Sequence, residues 1–166
     1  DNLEGVDRPI AALTEDGVHT AAGRVRKVDA VISGTGFMPT DFLAPMKIAG
    51  LGGRELSHAW RDGAEAYYGM TVSGFPNFFM LYGPNTNTAT SIIFMLEGQF
   101  RYMVRAMRLL AHSSGRTMNV REAAMRRFNA GVQERLARTV LTDDNCHSYF
   151  RTESGKVTTN WPGYPL

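Results

Sequence analysis

The sequence has little or none of several features that define large protein classes. Its single cysteine, Cys146, excludes an internal disulfide and a cysteine-based zinc cage, because both need further thiolates or clustered histidines. The longest apolar runs, 78–82 and 92–96, are far shorter than the roughly 20 residues that cross a bilayer. The polar residues 1–9 are not typical of a signal peptide. We therefore expect a cytoplasmic protein that has no membrane partner.

The composition is that of a globular protein, with 166 residues, 43% hydrophobic and 20% charged. This length suits one ordinary domain and is too short for two complete nucleotide-binding domains with a substrate domain. The net charge of +2 conceals an arginine-rich region, since 97–138 holds nine arginines and three glutamates. No aromatic residues alternate with these arginines, so a solvated helix face is favoured over a nucleic-acid site.

The first third of the chain reads as short β elements. Gly17 and Gly23 lie in polar breaks that favour tight turns between these elements. The apolar residues 28–32 then predict the strongest strand of this third, which ends at Gly34-Thr35-Gly36. This glycine pair is not a dinucleotide-binding GxGxxG turn, because Pro39 occupies the third glycine position and no helix pattern follows.

The second part of the chain predicts a buried strand, a turn and two long helices. The uninterrupted apolar run 78–82 is typical of a strand that is covered on both faces, and the polar turn 83–87 ends it. Helical spacing of apolar residues predicts a helix from Ser91 to about His112, with Ile92, Leu96, Met103, Met107 and Leu110 facing the core.

A second helix is predicted to begin at Asn119 as its N-cap, since Glu122 completes a capping-box pattern. Its apolar stripe is Met125, Phe128, Val132, Leu136 and Val140. These elements predict an α/β fold whose two long helices pack on a sheet. The junction from strand through turn to helix is a natural ligand site, although ordinary turn and cap residues would give the same pattern.

Three stretches resemble the C-terminal part of the class B flavoprotein monooxygenases, which comprise the Baeyer–Villiger and the flavin-containing monooxygenases. The first is VDAVISGTGF at 28–37, which is similar to the family's strand before an Ala-Thr-Gly motif. The second is GFPNFFMLYGPNTN at 74–87, followed by the helix that carries Glu97 and Gln99. The third is CHSYF at 146–150 with NWPG at 160–163. The three stretches occur in the family's order and extend over nearly the whole chain.

The resemblance implies the C-terminal portion of a flavoprotein with two dinucleotide-binding domains. Residues 1–37 would end the NADPH-binding domain and 38–166 would be the returning part of the FAD-binding domain. The intact enzyme would use FAD and NADPH to insert one oxygen atom from O2 into a ketone, or to oxygenate a heteroatom. Neither of the family's two GxGxxG loops lies in these residues, so the chain alone should be inactive and retain no cofactor.

The resemblance also implies which residues contact the cofactors, while it assigns no catalytic residue and no metal ligand to this chain. Tyr149 stands where the family usually has tryptophan, on a segment that reaches toward the nicotinamide cofactor. The remaining candidates lie at the crossover beside FAD and NADPH or along the polar edge of the flavin: Thr35, Gly36, Gly83, Asn85, Thr86, Asn87, Ser91 and Ile92.

Two alternatives remain open from the sequence. The arginine-rich helices would suit a non-catalytic module that binds an acidic partner or nucleic acid, although the glycine- and proline-rich middle fits cofactor-binding loops better. A related flavoprotein reductase without oxygenase activity would share the Thr-Gly strand but not the Trp-Pro-Gly tail.

Overall fold

A computed structural model describes residues 3–115, 117–143 and 148–164. The chain divides into two compact units, Asp1–Phe37 and Met38–Leu166. The predicted assignment of these parts to an NADPH-binding and an FAD-binding domain stays a prediction. Cys146 and His147, which belong to the third motif, lie outside the described residues.

The first unit is a three-stranded antiparallel sheet in the order β1, β2, β3. Strand β1 is Ile10–Thr14, β2 is Gly17–Thr20 and β3 is Val25–Arg26. Thr14 pairs with Gly17 across the first turn, where Gly17 adopts φ 134°, a value that side-chain-bearing residues rarely reach. The short β elements predicted from the sequence are therefore confirmed.

The strand predicted at residues 28–32 is absent from the structure. Its side chains are exposed, with Ile32 at 97%, and no described residue pairs with this segment. A strand forms only where neighbouring backbone groups take up its N–H and C=O groups. The described part of the first unit supplies no such neighbour, so the apolar pattern alone does not produce a strand here.

The second unit holds the helices α1 (Leu56–Ala59), α2 (Ile92–Ala111) and α3 (Glu122–Leu136), with short 3-10 turns at Leu51–Gly53 and Val140–Thr142. Isolated bridges, among them a parallel one between Asn87 and Asn160, take the place of a sheet in the described part of this unit. The expectation that the long helices pack on a sheet is therefore wrong for this unit. Strands in the first unit and helices in the second nevertheless fit the predicted α/β class.

Helix α2 confirms the predicted span and part of the predicted buried face, since Leu96, Met103 and Leu110 are half-buried. Ser91 is the N-cap, and its Oγ accepts a hydrogen bond from the Phe94 N–H at 3.4 Å. The buried residues are Gln99 and Ala106, whereas Ile92 and Met107 are exposed. The helix thus buries a narrow face that includes a polar side chain, which an apolar-spacing argument does not find.

Helix α3 begins two residues later than predicted, because the side chain of Asn119 is used elsewhere. The Oδ1 atom of Asn119 accepts a hydrogen bond from the Gly74 N–H at 3.1 Å, and Arg121 is the N-cap. The helix ends at Leu136, so Val140 falls in the following 3-10 turn and is 70% exposed. Val132 and Leu136 are fully buried, as predicted.

Two apolar clusters form the core of the second unit. The first contains Leu56, Ala66, Val72, Phe75 and Met80. The second joins Val132 and Leu136 of α3 to Val157 of the C-terminal tail. The tail therefore completes a core whose other members precede it by more than a dozen residues.

The strand predicted at residues 78–82 is also absent. Its backbone bonds to irregular partners, since the Met80 N–H donates to the Met70 carbonyl at 3.0 Å and the Tyr82 N–H donates to the side chain of Gln99 at 3.0 Å. Leu81 and Tyr82 are exposed rather than covered on both faces. Among the described residues, no helix is long and apolar enough to cross a membrane.

Candidate functional site

A cleft of about 260 Å³ lies where the turn that ends at Asn87 meets the C-terminal tail. Three stretches of chain form its walls, within 39–42, 82–87 and 149–159. Four of the residues proposed from the sequence line it: Gly83, Thr86, Asn87 and Tyr149. The other lining residues are Pro39, Phe42, Tyr82, Phe150 and Thr159.

The turn at the base of this cleft is tightly packed. Tyr82 and Asn85 have φ values of 55° and 56°, in the left-handed region that few residues other than glycine adopt. A Cβ at Gly83 would collide with the Gly69 carbonyl and the Met80 side chain, so only glycine fits. The hydroxyl of Thr86 donates to the Gly83 carbonyl at 2.6 Å. These contacts give the cleft a rigid floor.

The C-terminal tail holds this turn through backbone hydrogen bonds. The N–H groups of Asn85 and Asn87 donate to the carbonyls of Thr158 and Thr159 at 2.7 and 2.9 Å. The Trp161 N–H donates in return to the Asn87 carbonyl at 2.7 Å. The turn and the tail therefore form the floor of the cleft together.

The side chain of Asn85 also bonds the turn to the tail. Its Nδ2 donates to the carbonyls of Val157 and Asn160, both at 2.9 Å, and the residue is 2% exposed. Its Oδ1 is buried without a hydrogen-bond partner among the described residues. Asn85 lines a separate cavity of about 150 Å³, together with Tyr68, Met95 and other residues, and not the cleft. A contact between Asn85 and a flavin stays a prediction.

The side chain of Asn87 lies on the cleft itself. Its Oδ1 accepts a hydrogen bond from the Tyr82 hydroxyl at 3.2 Å, and its Nδ2 bonds to no described residue. Tyr149 and Phe150 pack ring against ring at 4.2 Å, and Tyr149 is 60% exposed. Aromatic side walls with an amide on the floor suit a planar ring that has a hydrogen-bonding edge. The residues present therefore fit the ring of a flavin.

The remaining candidates lie outside the lining of the cleft. Ser91 and Ile92 are exposed at the start of α2, where the first turn of the helix offers unpaired N–H groups and a partial positive charge. Thr35 and Gly36 belong to the first unit, where both are exposed and Gly36 has φ 74°. Their predicted roles beside FAD and NADPH stay predictions.

Nearly the whole chain is similar in sequence to the C-terminal part of known monooxygenases. No family model matches the chain. The FAD-binding monooxygenase ktnD of Aspergillus niger is 42% identical over 160 residues, which are 93% of this chain and 26% of that protein. A Baeyer–Villiger monooxygenase of Pseudomonas aeruginosa is 38% identical over 165 residues, which are 98% of this chain and 31% of that protein.

A solved structure of an oxidized steroid monooxygenase bound to NADP has a similar fold. It matches with a TM-score of 0.76 and 27% identity, over 98% of this chain and 32% of that one. Over nearly its whole length, the chain is therefore similar to the C-terminal part of FAD-binding and Baeyer–Villiger monooxygenases. It spans about a third or less of the length of the curated relatives that it matches.

These matches confirm the resemblance seen in the three motifs. The matched part is the C-terminal region of these enzymes. The second motif, GFPNFFMLYGPNTN at 74–87, contributes Tyr82, Gly83, Thr86 and Asn87 to the cleft, and the third motif contributes Tyr149 and Phe150. The second and third motifs therefore lie together in the structure although some 60 residues separate them in sequence.

Sequence reasoning missed part of the lining of this cleft. Tyr82 and Phe150 lie inside the quoted motifs, so their position next to predicted residues was a usable signal. Pro39 and Phe42 lie in an irregular segment with no periodicity, and Thr159 is a small polar residue in a loop. Nothing in the local sequence distinguishes these three from other loop residues.

Surface charge gives little support to a different kind of site. Three arginines pair with a glutamate one helical turn earlier: Arg101 with Glu97, Arg126 with Glu122, and Arg138 with Glu134. The guanidinium of Arg135 lies 4.9 Å from the Trp161 ring. Four of the eight arginines of this region that the structure describes are thus engaged within the chain. Among the described residues, no cluster of His, Cys, Asp and Glu could hold a metal ion.

Proposed function

We propose that this chain is the C-terminal part of an FAD- and NADPH-dependent monooxygenase of the Baeyer–Villiger type. The whole enzyme inserts one oxygen atom of O2 into a small-molecule ketone, and the other oxygen atom leaves as water with two electrons taken from NADPH. Oxygenation of a heteroatom is the other substrate class that the family allows. The observation that carries the proposal is the cleft of Gly83, Thr86, Asn87 and Tyr149, formed by the family's own motifs.

FAD would supply the redox chemistry, and the residues of this chain would bind and orient it. Asn87 would offer amide groups to the polar edge of the ring from the floor of the cleft. The aromatic rings of Phe42, Tyr149 and Phe150 would pack on the ring and exclude water. The N-terminus of α2 lies outside the lining of the cleft, and its partial positive charge would favour negative charge on a cofactor that extends toward it.

The remaining two thirds of the relatives' length would complete the site. A flavin is held mainly at its pyrophosphate by a glycine-rich strand-to-helix turn, and no GxGxxG sequence occurs in these 166 residues. We therefore expect the chain by itself to be colourless and inactive. Its main partner is the rest of the same enzyme, which would contain the glycine-rich loops. A cytoplasmic location stays a prediction.

The test is Asn87→Leu in the full-length protein that contains this chain. The change removes the amide from the cleft floor but leaves the backbone hydrogen bonds of residue 87 intact. Loss of one hydrogen bond in a site without water costs about 1–3 kcal/mol. We therefore expect FAD affinity, or the rate of flavin reduction by NADPH, to fall by about fivefold to hundredfold. Flavin occupancy and rapid-mixing reduction kinetics measure both quantities.

The matched control is Arg105→Ala, which changes an exposed side chain of α2 away from the cleft. This variant should keep wild-type occupancy and reduction. Normal flavin behaviour in Asn87→Leu, together with a defect in Arg105→Ala, would place the flavin on another surface. If the wild-type protein binds no flavin, the proposed function itself is wrong.

The two alternatives are distinguished by separate measurements. A flavoprotein reductase would oxidise NADPH without placing oxygen in an organic product, so labelled O2 with product mass spectrometry separates it from a monooxygenase. A binding module would shift nucleic acid in a salt-dependent manner without flavin. The ion pairs of Arg101, Arg126 and Arg138 already occupy part of the charge that such a module would need.

A further inference from the structure

Gln99 is a polar side chain buried on the packed face of α2, where it is 4% exposed. Its Nε2 donates to the Tyr68 carbonyl at 2.9 Å. Its Oε1 accepts from the Tyr82 N–H at 3.0 Å. One amide therefore joins two backbone positions that are 14 residues apart in the sequence.

The two backbone positions share an unusual conformation. Tyr68 and Tyr82 have φ values of 52° and 55°, which are unfavourable for residues with a Cβ, and each precedes a glycine. A Cβ at Gly69 would collide with Thr86, and a Cβ at Gly83 would collide with the Gly69 carbonyl. Two Tyr-Gly turns thus pack backbone against backbone, and Gln99 bonds to both.

One of these turns forms the cleft. Tyr82 and Gly83 line it, and the Tyr82 hydroxyl donates to Asn87 Oδ1 at 3.2 Å. The left-handed conformation of Tyr82 aims its ring at Asn87, and the hydrogen bond from its N–H to Gln99 stabilises that conformation. Gln99 itself does not line the cleft, so it acts through Tyr82.

We propose that Gln99 is a positioning residue that holds Tyr82 and Asn87, on the floor of the cleft, in the geometry that the cleft requires. That the cleft holds a flavin rests on the proposed function, whereas the effect of Gln99 on Tyr82 does not. The two Tyr-Gly turns lose their common anchor without this amide, and Tyr82 then relaxes toward an ordinary negative φ.

The first test is hydrogen exchange by mass spectrometry on the flavin-free full-length protein with Gln99→Met. Methionine has nearly the volume of glutamine, but its sulfur is only a weak acceptor for the Tyr82 N–H and it cannot donate to the Tyr68 carbonyl. We expect exchange in the peptide that contains Tyr82 to accelerate by about tenfold or more, while α2 stays protected. The control is Arg101→Ala, an exposed change on the same helix, which should leave this peptide unchanged.

A conservative variant separates positioning from general stability. In Gln99→Glu, burial raises the pKa of the new carboxyl. The protonated form can accept from the Tyr82 N–H and donate to the Tyr68 carbonyl, as glutamine does. The ionised form cannot donate, and the Tyr68 carbonyl oxygen repels it, which displaces the carboxylate from its place between the two turns. Relative to the wild type at the same pH, slow exchange at Tyr82 and flavin binding should therefore be restored at low pH and lost as pH rises. Burial also raises the pKa of neighbouring Tyr67 and Tyr102, so these phenols stay protonated throughout.

The outcomes distinguish this inference from the proposed function. Faster exchange at Tyr82 together with weaker flavin binding in Gln99→Met, and rescue of both by Gln99→Glu at low pH, support it. Unchanged exchange at Tyr82, or unchanged flavin binding despite faster exchange, would overturn it. Absence of flavin from the wild-type protein would instead refute the proposed function, and the exchange measurements would still decide whether Gln99 positions Tyr82.

Discussion

The two units of this chain contain similar apolar side chains but bury them very differently. In the first unit, Leu13 of β1 is 60% exposed, and Thr20 is the one buried residue among those described there. In the second unit, Val132, Leu136 and Val157 are fully buried and pack on each other. Apolar residues stabilise a fold only where neighbours remove them from water. The same residue types should therefore contribute unequally to stability in the two units.

The largest expected effect comes from the core of α3. Leu136→Ala removes a fully buried side chain and should lower the free energy of unfolding by about 2–5 kcal/mol. Leu13→Ala in β1 should change it by less than about 0.5 kcal/mol, because the side chain already contacts water. Urea unfolding of both variants measures the difference. Equal destabilisation would show that the apolar side chains of the first unit are covered in the protein.

A smaller effect is expected at the turn beneath the cleft, where two asparagines can be compared. Asn85→Ala removes the hydrogen bonds to the Val157 and Asn160 carbonyls and should cost about 1–3 kcal/mol. Asn87→Ala keeps its backbone bonds to the tail and should cost less than about 1 kcal/mol. Thermal unfolding ranks the two variants. If the order is reversed, Asn85 does not hold the tail as described.

The smallest effect on stability is expected when acid is added, and it concerns the first unit, which is held together partly by ionised carboxyl groups. The hydrogen bond and charge of Arg26 lower the pKa of the Glu4 carboxyl, and hydrogen bonds from Thr14 and then His19 lower the pKa of Asp16. A lowered pKa in the folded state stabilises above the ordinary carboxyl pKa, and this contribution is lost as pH falls through the lowered value.

Amide chemical shifts between pH 6 and pH 2 would follow this loss. Those of β1 and β2 should move toward random-coil values before those of α3, whose buried residues Val132 and Leu136 carry no charge. Asp16→Asn should abolish the change around the first turn, while Asp7→Asn, at an exposed position outside the sheet, should not. Earlier movement of α3 would contradict the ionic contribution assigned to the first unit.

Local signals predicted the local elements well. The bounds of α2 follow from its apolar spacing and the Ser91 cap, and the first two strands follow from the polar break before Gly17. Both kinds of element form from hydrogen bonds between residues that are close in sequence, so a short window contains the information.

Elements that depend on distant partners were predicted less well. The apolar run at 78–82 has the composition of a strand, but its backbone bonds to Met70 and to a side chain of α2. Asn119 has the pattern of a cap, but it bonds to Gly74, 45 residues earlier. Gln99 was named only with the helix that follows the second motif and not as a site residue, because the groups that it bonds come from two other loops. The site is therefore only partly readable from sequence.

The tail that closes the second core also determines when the cleft can be completed. Asn85 and the Val157 carbonyl that it bonds are 72 residues apart. During synthesis the chain emerges from its N-terminus, at about 5–20 residues per second. Several seconds of synthesis therefore pass between the turn at Asn85 and the tail segment at Val157 that anchors it. Val132 and Leu136 are made 25 and 21 residues before Val157, so they lack their cover for only the last part of that interval, about 1–5 seconds.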